Sequence, residues 1–236
     1  MEIIKKNFTT NTTLKKGRTI KYIVIHYTAG VSSVKGKATS TANYFSKDST
    51  KASADFIVDN ETIVQYNGDI KNRYSWHCGG SKLKTKGGSL YGKCTNANSI
   101  GVEMCSKNLA NKITDPNDIN WDITAGTFDC TVKLVANLCK EYNIPLENVI
   151  RHYDVTGKLC PGVIGWNEDS GDISEWKSFK NSVAEELNEI YKDNLEERNK
   201  ELEEKVAKLE KDNAEKQDEI NKLKEILKNV KNLVSF

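Results

Sequence analysis

A heptad repeat in the last quarter of the chain constrains the fold more than any other sequence feature. Neither glycine nor proline follows Gly171, and from residue 195 onward mostly apolar residues recur at alternating intervals of three and four. This spacing predicts a long helix with a narrow apolar stripe, which is typical of a coiled coil. The d positions are Leu195, Leu202, Leu209, Lys216, Leu223 and Val230, and the a positions are Asn199, Val206, Asn213, Ile220, Leu227 and Val234.

The polar residues around this stripe favour two parallel helices. Asparagine at an a position, as at Asn199 and Asn213, fixes the register and favours a two-stranded form. In a parallel pair the flanking g and e positions bring opposite charges together. We therefore expect residues 176–236 to form a helical coiled-coil region, and the alternative is a single helix folded back on the preceding domain. The opposed charge pairs are Arg198–Glu203, Lys205–Glu210 and Glu219–Lys224.

The first 175 residues show the pattern of an α/β domain. The segment 21–27 is nearly all apolar or aromatic, as expected for a strand covered on both faces. Further strands are predicted at 99–105 and 149–153, and two β-rich runs within 53–66 predict a hairpin. We therefore expect a mixed central β-sheet flanked by helices. The other predicted segments are an irregular lead-in over 1–20, helices over 36–46 and 124–142, and a long loop over 67–98.

Three side chains in this domain have the chemistry and spacing of a zinc site. His152 lies in a predicted strand, and Cys160 follows eight residues later, beyond a turn-like segment that can fold back. His26 lies in the strand over 21–27, and the chain has only three histidines. A catalytic zinc needs three protein ligands, and it prefers imidazole and thiolate. The sequence therefore predicts a site formed by His26, His152 and Cys160.

Two further residues carry groups that the hydrolysis of an amide requires. Glu103 lies in the interior of an apolar strand, where its carboxylate can act as a general base. Lys158 lies two residues before Cys160 and can place a positive charge beside a developing oxyanion. The alternative roles are a buried salt-bridge partner for Glu103 and a solvated loop lysine for Lys158.

Charge, cysteine content and the absence of targeting segments indicate which partners and which cellular compartment to expect. Residues 181–236 hold 11 Lys and Arg against 15 Asp and Glu, so the net charge of +2 comes from a basic first part. A basic surface suits a polyanion such as a bacterial cell wall, although ordinary solubility explains it equally well. Six cysteines without a CxxC pair do not form a disulfide scaffold, although Cys78 and Cys94 flank a loop and can pair. We find neither a signal peptide nor a membrane span and expect a cytoplasmic protein.

Five segments, taken in order, resemble the type 2 N-acetylmuramoyl-L-alanine amidases. This zinc family includes the phage lysozyme-type amidases and the peptidoglycan recognition proteins. The resemblance covers about residues 20–165 and implies the fold of that family, with one zinc ion held by His26, His152 and Cys160. It also implies catalysis by Glu103 and Lys158. The matching segments are 23–29, 52–59, 76–77, 98–103 and 151–161.

The same resemblance implies a substrate groove and shows two departures from the family pattern. Some branches carry a catalytic tyrosine in the hairpin strand, where this chain has Ala54, so the catalytic role falls on Glu103 or on another group. The family often has histidine or tyrosine at the place of Asp55. Neither departure affects a predicted metal ligand. The residues implied to bind substrate are Thr28, Trp76, His77 and Asn98.

The resemblance implies a lytic enzyme that cuts bacterial peptidoglycan between N-acetylmuramic acid and L-alanine. A phage or prophage endolysin is expected, held in the host cytoplasm until a holin releases it to the cell wall. We expect residues 1–175 to form the zinc amidase domain and the coiled coil to join two copies or to target the wall. Peptidoglycan and a second copy are the expected partners, without nucleic acid. The alternative is a non-catalytic peptidoglycan-binding module on a coiled-coil scaffold.

Overall fold

The computed structural model describes residues 3–79, 87–115, 118–162 and 164–234. The chain divides into two compact units, Met1–Leu187 and Asn188–Phe236. The strands are β1 (Ile3–Lys5), β2 (Thr12–Leu14), β3 (Tyr22–Tyr27), β4 (Phe56–Val58), β5 (Ile63–Gln65), β6 (Arg73–Ser75), β7 (Ser99–Met104), β8 (Lys107–Asn108), β9 (Trp121–Asp122) and β10 (Val149–Arg151). The helices are α1 (Lys37–Phe45), α2 (Ala125–Tyr142), α3 (His152–Thr156) and α4 (Ser174–Val234).

Six strands form a mixed central sheet in the order β1-β5-β4-β7-β3-β10. Only β4 and β5 run antiparallel, as the predicted hairpin requires, and the other four pairings are parallel. Ile23, Val24 and Ile25 of β3 are fully buried, because this strand lies inside the sheet and both of its faces are covered. Helices α1 and α2 pack on the sheet. The predicted α/β fold is confirmed.

The parallel strands bring the ends of three chain segments to one edge of the sheet. In β3 and β7, His26 is paired in register with Glu103. In β3 and β10, Ile25 is paired with Arg151, so His26 and His152 both follow the last paired residues. Residues that lie far apart in the sequence are therefore adjacent at this edge, because parallel strands end on the same side.

The structure adds strands that the sequence analysis did not predict. The lead-in contains β1, which extends the sheet beside β5, and β2, which pairs with β6 inside the predicted long loop. These strands are three residues long and partly polar, so they show no hydrophobic alternation, and their pairing partners determine them. The part of the predicted loop over 80–86 lies outside the described residues.

The predicted strand over 149–153 was too long. β10 ends at Arg151, and His152 begins the short helix α3 instead. The Asp154 carboxylate caps this helix by accepting the backbone N–H of Arg151 at 2.8 Å and its guanidinium at 2.6 Å. The strand therefore turns into a helix at the first predicted metal ligand of this segment.

Helix α4 confirms the long helix that the heptad repeat predicts. Every described residue from 191 to 234 is exposed, including the apolar side chains of the a and d positions. Leu209 is 66% exposed and Leu223 is 58% exposed, which is unusual for leucine at regular spacing. Among the described helices, none combines the length and the apolar character needed to cross a lipid bilayer.

We expect Ile57→Ala to destabilise the first unit by about 2–4 kcal/mol, because deleting a buried aliphatic side chain leaves a cavity. Ile57 is fully buried and packs in one core cluster with Ala38 and Ala42 of α1. Denaturant unfolding measures the loss. The matched control, Leu14→Ala, removes a side chain that is 56% exposed and should cost less than about 0.5 kcal/mol. Equal losses in the two variants would contradict this core.

Candidate metal centre and active site

His26, His152 and Cys160 lie together at the carboxyl end of the parallel strands, as the sequence predicts. The Nδ1 atoms of His26 and His152 are 3.0 Å apart, and the Sγ atom of Cys160 is 3.8 Å from His26 Nδ1. The three ligand atoms lie within 4.8 Å of one another, so one metal ion can contact all three.

The local fold of the loop after α3 brings Cys160 back to the two histidines. Helix α3 ends at Thr156, and the next residue, Gly157, has a left-handed φ of 74° that lets the chain reverse. The backbone N–H of Tyr153 then donates to the carbonyl oxygen of Cys160 at 3.0 Å. This hydrogen bond closes the segment between the two ligands and places the thiol beside the imidazole of His152.

Burial keeps both imidazoles neutral near pH 7, the form in which histidine binds a metal. It lowers the pKa of His26 well below its usual range. Burial, together with the charge of Lys158 and the proximity of His77, lowers the pKa of His152 to about 3. Burial also raises the pKa of the Cys160 thiol to about 12, so forming the thiolate here requires a nearby cation. Two neutral imidazoles and a thiol that ionises only beside a cation therefore favour a positively charged ion between them.

Glu103 places a carboxyl group next to these ligands. Its Oε2 atom is buried and has no hydrogen-bond partner. Burial raises the pKa of Glu103 to about 7, although Lys158 and His77 oppose this shift. In the described part of the chain, no ion pair within 4.0 Å includes Glu103, which argues against a salt-bridge role. A carboxyl group with a pKa near 7 can both accept and donate a proton at neutral pH.

A groove with a volume of about 460 Å³ opens beside this carboxyl group. Glu103 and Lys158 both line it, together with Thr28 at the end of β3 and Tyr44 on α1. The ring of Tyr44 is exposed, and the sequence analysis did not single out this residue. The groove thus combines a carboxyl group, an amine and an aromatic face.

Three residues expected in the substrate groove have partners elsewhere in the protein. The indole N–H of Trp76 donates to Thr13 Oγ1 at 2.8 Å. The side-chain oxygen of Asn98 accepts the backbone N–H of Thr95 at 2.8 Å. His77 contacts His26, with 3.1 Å between His77 Nδ1 and His26 Nε2. In the parts of the chain that the structure describes, none of the three lines the groove, whereas Thr28 does.

The two positions that depart from the family pattern lie in the protein interior. Ala54 is fully buried in the core cluster beneath α1. The Asp55 carboxylate accepts hydrogen bonds of 2.8 Å from Gly101 N–H, Ser75 Oγ and Asn67 Nδ2. Asp55 thereby joins the hairpin to β7 and β6, which gives it a structural role.

A mixed sheet that carries a buried His/His/Cys group and a buried carboxyl group at its edge defines an α/β protein with a candidate metal-dependent active site. The sequence over residues 16–163 matches the family described as N-acetylmuramoyl-L-alanine amidase. This segment is more than half of the chain, and the protein belongs to that family.

Relatives from bacilli support this assignment. A probable N-acetylmuramoyl-L-alanine amidase of Bacillus licheniformis is 30% identical over 172 residues, which are 70% of this chain and 42% of that protein. The N-acetylmuramoyl-L-alanine amidase CwlL of the same organism is 32% identical over 179 residues, covering 70% of this chain and 41% of its own length. The chain thus spans about two fifths of the length of these curated relatives.

Solved structures share the fold of the first unit. The catalytic domain of XlyA superposes with a TM-score of 0.54 at 26% identity, covering 78% of this chain and 99% of that domain. The structure of PlyL superposes with a TM-score of 0.55 at 26% identity, covering 78% of this chain and 97% of the other.

For the metal-free protein, we expect Glu103→Gln to gain stability over the wild type as the pH rises from 5 to 8. The folded-state pKa of Glu103 is about 7, above its ordinary value of 4.5. Its bound proton therefore stabilises the fold fully below pH 4.5, and this contribution is lost as the pH rises to 7. Glutamine does not titrate, so the gain should be on the order of 2 kcal/mol.

Denaturant unfolding at several pH values measures this difference. The control is Glu61→Gln, because Glu61 lies on the surface in an exposed ion pair with Lys35. The free energy of unfolding of Glu61→Gln should change between pH 5 and pH 8 in the same way as that of the wild type. If the Glu103 variant also follows the wild type, Glu103 is not the buried proton-binding group described above.

Proposed function

We propose that this protein is a zinc-dependent N-acetylmuramoyl-L-alanine amidase that hydrolyses the amide between the lactyl group of N-acetylmuramic acid and L-alanine in peptidoglycan. The observation that supports this most is the buried group of His26, His152 and Cys160 with the unpaired carboxyl of Glu103 beside it. Family membership and the names of the relatives support the same reaction.

The residues present fit a zinc ion. Two neutral imidazoles and one thiol are a ligand set that zinc prefers, and three protein ligands leave one position open for chemistry. Atoms that share a tetrahedral zinc lie roughly 3.3–3.8 Å apart, given the usual Zn–N and Zn–S lengths. The separations of 3.0 and 3.8 Å about His26 Nδ1 are close to that range. When bound, zinc would supply a positive charge that polarises the scissile carbonyl and lowers the pKa of water.

The other residues supply proton transfer and charge stabilisation. The Glu103 carboxylate takes the proton of the attacking water and returns it to the amide nitrogen of L-alanine as the C–N bond breaks. The ammonium group of Lys158 lies in the same groove and stabilises the negative charge that develops on the carbonyl oxygen. Thr28 and the ring of Tyr44 line the place where the substrate chain lies.

We further propose that the chain works as a phage or prophage endolysin that reaches the cell wall after release from the cytoplasm. Residues 1–175 would be its zinc amidase domain and 176–236 its coiled-coil region. One similar solved structure is a mutant endolysin from Bacillus subtilis, with a TM-score of 0.53 at 26% identity.

A second copy of this chain is the partner that the exposed stripe of α4 fits. The a and d side chains from Leu195 to Val234 are exposed along one face, and burial against an identical stripe would remove this apolar surface from water. The charges flanking the stripe are complementary in a parallel pair, as at Lys205 and Glu210. A homodimer would present two catalytic units to a repetitive wall and so gain avidity.

We expect Glu103→Gln and Lys158→Met each to lower the rate of amide cleavage by about 100-fold or more, because the first loses the proton-transfer group and the second the oxyanion charge. The wild type should release new N-terminal L-alanine from purified cell walls, which end-group labelling detects. Binding of the walls should persist in both variants. If the wild type binds walls but frees no L-alanine amino groups, the non-catalytic binding module becomes the better account.

For the coiled coil, light scattering of the full chain should give twice the chain mass of 26.5 kDa. Leu209→Asp places a charge at a d position and should return the protein to a monomer at micromolar concentration. Ala207→Asp lies two residues away, outside the stripe, and should remain a dimer. A wild-type chain that is monomeric under these conditions would refute the dimer and leave wall binding as the role of the tail.

A further inference from the structure

The second ring nitrogen of His26 enters a chain of hydrogen bonds that leads away from the metal centre. His26 Nε2 lies 3.1 Å from His77 Nδ1, and His77 Nε2 lies 3.1 Å from Ser99 Oγ. The hydroxyl of Ser99 in turn donates to the carbonyl oxygen of Thr95 at 2.6 Å. Two histidine rings and one hydroxyl thus link the centre to the backbone.

The hydrogen bond from Ser99 to Thr95 determines which atoms donate and which accept in the other hydrogen bonds of this series. Since the single hydroxyl proton of Ser99 points to the Thr95 carbonyl, Ser99 Oγ can only accept from His77. In its neutral form, His77 therefore carries its proton on Nε2, and its Nδ1 is an acceptor. His26 must then donate from Nε2, which leaves the lone pair of its Nδ1 free. That Nδ1 atom faces His152 and Cys160.

The fold holds His77 in this position from three sides. The side-chain oxygen of Asn96 accepts the backbone N–H groups of His77 and Cys78 at 3.1 and 2.8 Å. The Arg18 guanidinium donates to the carbonyl oxygens of Asn96 and Ser99 at 3.0 Å each. The ring of His77 lies against Gly101, where an added Cβ would come within 2.5 Å of it. His77 is therefore fixed to the scaffold.

We propose that His77 and Ser99 are positioning residues that hold His26 in the Nε2–H tautomer and thereby set the metal affinity of the site. The proposal rests on the proposed zinc site, because it concerns the orientation of one of its ligands. His77 acts through His26, and Ser99 acts through His77. Partners of this kind fix the ring and the tautomer of a metal-binding histidine, and their loss typically costs 10–100-fold in metal affinity.

Zinc affinity in competition with a chelator tests the proposal by substitution. We expect His77→Leu to weaken zinc binding by about 10–100-fold and Ser99→Ala by about 10-fold. His77→Asn should stay within about 3-fold of the wild type, since its amide oxygen lies near the place of Nδ1 and keeps an acceptor for His26. The control is Thr131→Val, which removes a buried hydroxyl that donates within α2, and it should bind zinc as the wild type does.

Nitrogen-15 NMR of the histidine rings tests the tautomers directly in the wild-type chain. The chain has only three histidines, and His77→Asn assigns one of them. We expect the zinc-loaded protein to show Nε2–H for both His26 and His77.

Two results would overturn the proposal while leaving the zinc amidase intact. The first is a wild-type His77 that carries its proton on Nδ1. The second is a pair of folded variants, His77→Leu and Ser99→Ala, that bind zinc as tightly as the wild type. By contrast, a wild-type protein that binds no zinc would refute the proposed function itself, together with the role of His77. The two failures are therefore distinguishable.

Discussion

Parallel pairing of β3 with β7 and β10 is the constraint on which the rest of the site depends. Because the three strands run in one direction, their carboxyl ends bring His26, Glu103 and His152 to one edge. The site requires the observed register of β3 and β7, since a slip by one residue would move His26 to the opposite face of the sheet. Cys160 joins them through the hydrogen bond that closes the loop after α3.

The same edge holds groups that the interior of a protein normally avoids. The imidazole of His26 and the thiol of Cys160 are buried, the imidazole of His152 is half-buried, and one oxygen of the neighbouring Glu103 carboxyl group is buried without a partner. Each of these groups loses hydration on folding, and the shift of the imidazoles and the carboxyl group toward their neutral forms reduces this cost. The buried core clusters around the sheet supply the stability that allows such a site to persist.

The apolar periodicity made the main strands and helices predictable from the sequence, and the small number of histidines made the candidate metal ligands predictable. β3, α2 and α4 show clear apolar periodicity, and the ligands stood out because only three histidines are present. By contrast, β2 and β6 are short and polar, so only their mutual pairing in the folded chain determines them. The contact of His77 with His26 depends on the path of a long loop. The alternation of β7 places Ser99, Gly101 and Glu103 on one face, but it does not by itself predict which loop residue packs against them.

The proposed reaction requires a metal ion bound by side chains at the edge of this sheet. Elemental analysis of the purified full chain tests that claim most directly, alongside Cys160→Ser, which replaces the thiolate donor by a hydroxyl that zinc binds poorly. We predict about one zinc ion per wild-type chain and a marked loss of zinc in the variant, with the fold retained by circular dichroism. A wild-type protein that holds no zinc and takes up none on dialysis against the metal would contradict the account.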